Sequence, residues 1–237
     1  MTAGSATGVT TRRGSSSGPD GLYYPCEEKP RVPISAAALQ LMSYLIAALR
    51  HLLYSVHELV YVSGDQFIYY VPHDPTRSVA PDVYVRFGVP KEPERQVFRT
   101  WEEGGAPSFV AEISSKDSRT EDRGPKFTLY QDVLRCREYL IYDEERNELL
   151  LYRREEGAFQ PVPQDENGRV YSEELNLWFG REPGILVRVY GPDGQPVLDT
   201  EELHEHAEVE ARRADALAEE VERLRAELAR ALQERGA

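Results

Sequence analysis

The order of one long apolar helix and five short β-forming runs most strongly constrains the fold of this 237-residue chain. Residues 34–54 carry apolar side chains at helical spacing, and Ser35 is placed to cap that helix. Runs rich in β-branched and aromatic residues follow at 59–62, 67–70, 82–85, 109–113 and 139–142. A second helical segment, which begins at Pro125, separates the last two runs. This order predicts an α/β fold in which helices flank a mixed sheet.

Shorter signals refine this prediction. Ser63, Gly64 and Asp65 indicate a turn between the first two β-forming runs. Runs 149–152 and 159–162 are typical of a peripheral hairpin, and extended pieces follow near Leu175 and Val187.

The last part of the chain has a different pattern. Apolar residues recur there at alternating steps of four and three, with Glu and Arg around them, at Leu217, Val221, Leu224, Leu228 and Ala231. This spacing predicts a coiled-coil helix, and its length of about three to four heptads suits a homodimer that the main domain reinforces. The alternative is a single exposed helix that packs back on the domain.

These patterns divide the chain into a disordered, Gly/Ser/Thr-rich arm (1–30), an α/β domain (31–198) and a coiled-coil tail (199–237). Hydrophobic residues make up 41% of the chain, which excludes disorder throughout. The most apolar stretch, 34–54, contains Arg50 and His51 and is therefore interpreted as an amphipathic helix rather than a membrane span. Two unpaired cysteines and the lack of a secretion signal predict a cytoplasmic protein.

Two acidic residues stand where a strand does not favour them. Asp82 follows Pro81 at a strand entrance, and Glu112 interrupts the run Phe-Val-Ala-Glu-Ile. A buried carboxylate is costly unless it is paired or bound to a metal. If the two strands are neighbours, both carboxylates and the Ile113 carbonyl could bind Mg²⁺ or Mn²⁺. The alternatives are that Asp82 caps a turn and that Glu112 forms a structural ion pair.

Three blocks of sequence in a fixed order resemble a known family. They are APDV, then FVAEISSKDSRTEDRGPKFTLYQ, then REYLIYD. Pro-Asp followed by Glu-Ile-Ser resembles the PD-(D/E)xK nuclease superfamily, and the three blocks together resemble the Uma-two family of restriction-endonuclease-like proteins. The resemblance covers roughly residues 55–190 and implies a restriction-endonuclease-like mixed sheet.

The resemblance also implies metal-dependent hydrolysis of DNA phosphodiester bonds, with Asp82 and Glu112 as metal ligands. Ser114 stands where the superfamily usually has its lysine, so it joins the expected catalytic residues. Lys126, on the following helix, is the expected substitute for that lysine, and it would orient the attacking water or stabilise charge on the phosphate. Tyr130, one helical turn further on, could share its face. Alternatively, Lys126 is a solvated lysine in a first helical turn.

The formal net charge of −13 is unusual for a DNA-binding protein, because phosphate neutralisation needs Lys and Arg. DNA as substrate therefore requires a local basic patch, or else these residues form an ordinary solvated loop: Lys116, Arg119, Arg123, Arg135 and Arg137. Two other functions are considered. One is a catalytically inactive nuclease fold that serves in coiled-coil-mediated interaction or DNA binding. The other is a glycoside hydrolase that uses the two carboxylates as acid and base.

Overall fold

The computed structural model describes residues 16–18, 20–26, 34–184 and 186–235, with side chains in the last helix described up to residue 228. The chain forms two compact units, which divide between Val197 and Leu198.

The secondary structure of the described residues consists of four α-helices, one π-helical turn and fourteen strands. The helices are α1 (Ala36–Val56), α2 (Arg119–Asp122), α3 (Pro125–Thr128) and α4 (Thr200–Arg235), and α3 continues as a π-helical turn over Leu129–Val133. The strands are β1 (Ser16–Ser17), β2 (Tyr23–Tyr24), β3 (Val60–Ser63), β4 (Ile68–Tyr69), β5 (Ser78–Val79), β6 (Val83–Phe87), β7 (Phe98–Arg99), β8 (Phe109–Ser114), β9 (Glu138–Asp143), β10 (Glu148–Glu155), β11 (Ala158–Pro161), β12 (Val170–Ser172), β13 (Leu177–Gly180) and β14 (Arg188–Tyr190).

A six-stranded sheet in the order β11-β10-β9-β8-β6-β3 forms the centre of the first unit. Its central pair, β8 and β9, is parallel, and the other neighbouring strands are antiparallel. The sheet is therefore mixed, and the predicted α/β class is confirmed.

Side chains that alternate along the strands divide the core between the two faces of this sheet. On one face α1 packs through its buried apolar residues against Val83, Phe109 and Ala111. The Ser35 hydroxyl accepts a hydrogen bond from the Ala38 N–H at 2.9 Å, which confirms the predicted cap. By length and hydropathy alone α1 could cross a membrane, but here its buried side covers the sheet.

The segment from α2 to the end of the π-helical turn covers the other face. Its buried residues Tyr130 and Leu134 pack with Val110 and Tyr139 from the sheet. Glu112 lies on this face, because it is two residues from Val110 along β8.

The structure adds strand partners that the shorter sequence signals did not specify. The turn at Ser63–Asp65 does not close a hairpin, since β3 pairs with β6 while β4 joins a separate small sheet with β5 and β7. The pairing of β3 with β6 is accompanied by a close backbone contact, since a Cβ added at Gly64 would lie 1.9 Å from the Asp82 carbonyl oxygen. The runs predicted as a peripheral hairpin pair as one, β10 with β11, and this confirmed hairpin extends the main sheet because β10 also pairs with β9. The late extended pieces form a third sheet, β12-β13-β14.

Most of the arm predicted over residues 1–30 lies outside the described residues. Within it, β1 and β2 pair as a short hairpin, in contrast to the expected disorder. The reason is an aromatic anchor: the buried Tyr24 ring packs edge-on against Tyr69 at 4.9 Å between centroids, and its hydroxyl donates to Asp20 at 2.6 Å.

The second unit is the helix α4, which runs without interruption for 36 residues. Leu217, Val221, Leu224 and Leu228 of the predicted seam are exposed on this single helix. A coiled coil through this seam stays a prediction.

Candidate functional site

The two carboxylates singled out in the sequence meet at one end of the central sheet. Strand β6 pairs with β8 in a register that places Val83 opposite Ala111, so Asp82 and Glu112 come next opposite each other. Oδ2 of Asp82 accepts a hydrogen bond from the Ile113 N–H at 2.6 Å, and the Asp82 carboxyl group also lies within hydrogen-bonding reach of Glu112. Glu112 is 2% exposed. The two acids therefore lie next to each other at this end of the sheet.

Lys126 lies beside this pair. Its Nζ is 3.1 Å from Oε2 of Glu112 and 3.0 Å from Oδ1 of Asp122. Pro125 starts the short helix α3 that carries the lysine, and this helix packs on the sheet face where Glu112 lies. The structure thus brings Lys126 together with Glu112.

Tyr130 also reaches Glu112, from the π-helical turn that follows α3. Its hydroxyl donates to Oε1 of Glu112 at 2.6 Å. The two oxygens of Glu112 therefore have different partners, the phenol on one and the ammonium on the other. The expected shared face of Lys126 and Tyr130 is observed.

Ser114 and Ile113 take positions that the sequence did not specify. Ser114 is fully buried, and its hydroxyl donates to Oδ2 of Asp122 at 2.7 Å rather than to Asp82 or Glu112. Ile113 lines the site and fixes Asp82 through its N–H. A role of its carbonyl as a metal ligand stays a prediction.

Asp122 is the site residue that sequence analysis missed. It stands in a run of alternating charges, SSKDSRTEDRG, which indicated a solvated loop, yet it is 1% exposed. Besides contacting Ser114 and Lys126, it accepts the Tyr139 hydroxyl on its backbone carbonyl at 3.0 Å. The spacing of four between Asp122 and Lys126 could have suggested the pair, because residues i and i+4 are neighbours on a helix.

The charges of this cluster shift one another. Burial raises the pKa of Glu112 to about 8, against the opposing effect of the Lys126 charge, and the charges of Asp82 and Asp122 add to the increase. Burial also raises the pKa of Asp82. Burial alone would lower the pKa of Lys126, but the charges of Glu112 and Asp122 outweigh it and raise that pKa. The Lys126 ammonium thus contacts Glu112 and Asp122 and lies near the Asp82 charge, in a site with little solvent.

These groups open into a cleft of about 160 Å³, which is lined by Ile34, Ser35, Ala38, Met42, Asp82, Glu112, Ile113, Ser115, Ser118, Asp122, Lys126 and Glu144. The donor set fits a hard divalent cation, since carboxylate oxygens are what Mg²⁺ and Mn²⁺ prefer and the acids exceed the ammonium in number. Within the described parts of the chain, no three His, Cys, Asp or Glu residues form a ready-made metal cluster. Asp82 and Glu112 stay the predicted ligands of such an ion.

The basic residues suggested for a DNA-binding patch separate into two groups. Arg119 donates to both oxygens of the buried Asp143, at 2.5 and 2.8 Å, and Arg123 contacts Asp143 and Glu148. Their charges are thus partly neutralised within the domain. Exposed basic side chains remain at Lys116, Arg135 and Arg137.

Comparison with known proteins identifies the family. The model of the Uma2 family, which is described as "Putative restriction endonuclease", matches residues 31–182. The chain belongs to the Uma2 family, the Uma-two family of the sequence analysis. No curated protein matches the chain.

The Uma2 match covers the whole site, from Asp82 through Lys126, and ends before α4 begins. The chain is also similar to a solved structure from Anabaena variabilis, named a "putative nuclease belonging to DUF820". The two share 13% identity and a TM-score of 0.46 over 61% of this chain and 76% of the other. This Uma2 chain is thus assigned to a nuclease family by sequence.

Proposed function

We propose that this protein is a metal-dependent endonuclease that hydrolyses phosphodiester bonds of DNA. One observation carries the proposal: a partly buried carboxyl group, Asp82, and a buried one, Glu112, meet from neighbouring strands beside the Lys126 ammonium in a cleft. Membership of a family described as restriction endonucleases supports DNA as the substrate class. A cytoplasmic location belongs to the same proposal.

Asp82 and Glu112 would hold Mg²⁺ or Mn²⁺, with the Ile113 carbonyl as a further oxygen ligand. The ion, when bound, would activate water and polarise the scissile phosphate. The residues of the chain would do the rest. Lys126 would stabilise charge on the phosphate oxygens and orient the attacking water, as a fixed positive group does best in a place with little solvent. Tyr130 would hold the Glu112 carboxyl group in one orientation through its 2.6 Å hydrogen bond.

The test is cleavage of plasmid and oligonucleotide DNA in the presence of Mg²⁺ or Mn²⁺. Asp82→Asn and Glu112→Gln should abolish cleavage and weaken Mn²⁺ binding in calorimetry, whereas Lys126→Met should slow cleavage strongly, to a rate that is still measurable, and keep Mn²⁺ binding. Glu121→Gln is the matched control, because Glu121 is an exposed acid on the short helix α2 next to the site. The proposal is wrong if the wild-type protein binds no Mn²⁺, or if all these variants cleave like the wild type.

The second candidate is a catalytically inactive nuclease fold that binds DNA or a protein partner. The specific observation in its favour is that Lys126 already supplies a positive charge to Glu112 and Asp122, as an ion would. Wild-type protein that takes up no Mn²⁺ yet binds DNA would favour this candidate over the nuclease.

A second copy of the chain is the partner that α4 fits best. In heptad positions, Val221 and Leu228 occupy a, whereas Leu217 and Leu224 occupy d. A β-branched residue at a with leucine at d favours two parallel strands. In that arrangement Glu220 at g faces Arg225 at e of the partner helix, so opposite charges meet. On the single helix the same two side chains pair only locally, with Arg223 and Glu222.

Light scattering of the full chain tests this homodimer. Leu224→Asp should yield monomers, whereas Ala226→Asp, which adds the same charge on the outer face of α4, should leave the dimer intact. Glu220→Arg should weaken the dimer and the double variant Glu220→Arg with Arg225→Glu should restore it. A wild-type protein that is monomeric at high micromolar concentration would contradict the coiled coil.

A further inference from the structure

The position where the nuclease motif carries lysine is occupied by Ser114, and this serine contacts another residue instead of the two acids. Its hydroxyl donates to Oδ2 of Asp122 at 2.7 Å, and both side chains are shielded from solvent. The other oxygen, Oδ1, is 3.0 Å from Nζ of Lys126. A continuous chain of contacts therefore runs from position 114 through Asp122 to the lysine and on to Glu112.

Asp122 is held from three sides. Ser114 comes from the end of β8, Lys126 comes from α3, and the Tyr139 hydroxyl of β9 binds the Asp122 backbone carbonyl at 3.0 Å. The helix α2 that carries Asp122 has only four residues, too few to be stable alone, so these contacts fix its position. The aspartate in turn limits where the long, flexible lysine side chain can go.

The two oxygens of Asp122 have different partners: Oδ2 accepts the Ser114 hydrogen bond, whereas the buried Oδ1 accepts no hydrogen bond from the described part of the chain and forms an ion pair with Lys126 at 3.0 Å. In Asp82, by comparison, Oδ2 accepts the backbone N–H of Ile113. A buried carboxylate that is fixed by Ser114 through one oxygen and paired with Lys126 through the other is suited to orient that lysine.

We propose that Asp122, held by Ser114, is a positioning residue that fixes the Lys126 ammonium beside Glu112. The motif position 114 would then act indirectly: it supports a lysine supplied by the next helix instead of supplying one. The kinetic test of this inference rests on the proposed nuclease function. The structural test depends only on the contacts among Ser114, Asp122 and Lys126.

Kinetics with the full chain separate positioning from metal binding. Asp122→Asn should lower kcat on the order of 100-fold, the size of effect that a catalytic group displaced by about 1 Å produces, with KM and Mn²⁺ affinity close to wild type. Ser114→Ala, which leaves Asp122 in place, should lower kcat in the same direction by less. Asp117→Asn is the matched control, an exposed acid of the same loop.

Non-additivity gives the decisive comparison. If Asp122 acts only through Lys126, the double variant Asp122→Asn with Lys126→Met should be no slower than Lys126→Met alone. A further loss in the double variant would overturn the proposal. Loss of Mn²⁺ binding in Asp122→Asn would also overturn it, because the aspartate would then be a ligand.

A structural measurement keeps the inference testable if the wild-type protein does not cleave DNA. The wild type, Asp122→Asn, Lys126→Met and the double variant then form a double-mutant cycle, in which the urea midpoint of unfolding is measured for each protein. Coupling between positions 122 and 126, together with an altered Lys126 position in a crystal structure of Asp122→Asn, would support the inference while the nuclease proposal fails. Additive effects of the two substitutions on the urea midpoint, together with an unchanged Lys126 position in the crystal structure of Asp122→Asn, would refute the inference.

Discussion

Replacement of Glu112 by Gln should change how the stability of the metal-free protein depends on pH. Burial raises the pKa of this carboxyl from the ordinary value of 4.5 to about 8. Between these two values the native state holds a proton that the unfolded state has released. Stability therefore falls as pH rises through this window and is greatest below about 4.5, where both states are protonated.

The magnitude follows from the size of the window. Each pKa unit corresponds to about 1.4 kcal/mol, so the free energy of unfolding should decrease by up to roughly 5 kcal/mol between pH 4.5 and pH 8. The raised pKa of Asp82 acts in the same direction. The raised pKa of Lys126 contributes stability that is fully present below 10.5, and so adds no slope in this range.

Urea denaturation at half-unit steps from pH 5 to pH 8, in EDTA, measures the effect. The wild type should lose stability steadily, whereas Glu112→Gln, which has no proton to lose at this position, should give a distinctly flatter profile. Mn²⁺ should stabilise the wild type more at pH 8 than at pH 6, since protons compete for the carboxylate at the lower pH. Equal slopes for the two proteins in EDTA would refute the assignment of the buried proton to Glu112.

Three further predictions concern the framework around the site. Gly64→Ala should destabilise the fold by on the order of 2 kcal/mol and weaken Mn²⁺ binding, because the added Cβ would lie 1.9 Å from the Asp82 carbonyl oxygen; urea midpoints and calorimetry measure both. Glu138→Ala should cost about 3 kcal/mol in chemical denaturation, since this buried acid accepts hydrogen bonds from Arg153 at 2.9 Å and from the Glu173 N–H at 3.0 Å; a change below the error of the assay would exclude a structural role. The hydrogen bonds from Arg119 lower the pKa of Asp143. The ionised carboxyl therefore stabilises the fold at pH values above its unfolded-state pKa of about 3.9, and this stabilisation is lost as the pH falls. Asp143→Asn should be less stable than the wild type at pH 7 and should lose less stability on acidification, as followed by circular dichroism.

The sequence was sufficient to predict the elements that depend on local pattern. Helical spacing identified α1, the β-forming runs identified β3, β6, β8 and β9, and the class of fold followed from their order. The unfavourable placement of acids in strands singled out Asp82 and Glu112, and the structure brings them together. Each of these features is set by residues near one another along the chain.

The features that were missed depend on contacts between distant segments. The pairing of β3 with β6 instead of β4 depends on the close approach of Gly64 to Asp82, which no local turn signal reveals. The burial of Asp122 depends on Ser114 and Tyr139, which are 8 and 17 residues away in sequence. A solvated charged loop and a buried cluster of charged groups therefore have the same sequence pattern, and only the assembled sheet distinguishes them.

The site occupies the one place in the main sheet where the parallel pair β8–β9 meets the antiparallel strand β6. Asp82 reaches the site from the start of β6, whereas Glu112 and Ser114 lie at the end of β8. Because the two strands run in opposite directions, the start of β6 lies beside the end of β8. Parallel pairing leaves a long connection between β8 and β9, and that connection carries Asp122 and Lys126. The topology thus places the charged groups of the site, Asp82, Glu112, Asp122 and Lys126, at one end of the central sheet. The mutual repulsion of the carboxyl groups and their burial reduce the stability of the fold. A fold selected for stability alone would place apolar residues there, so these carboxyl groups fit the proposed cation site better than a role in packing.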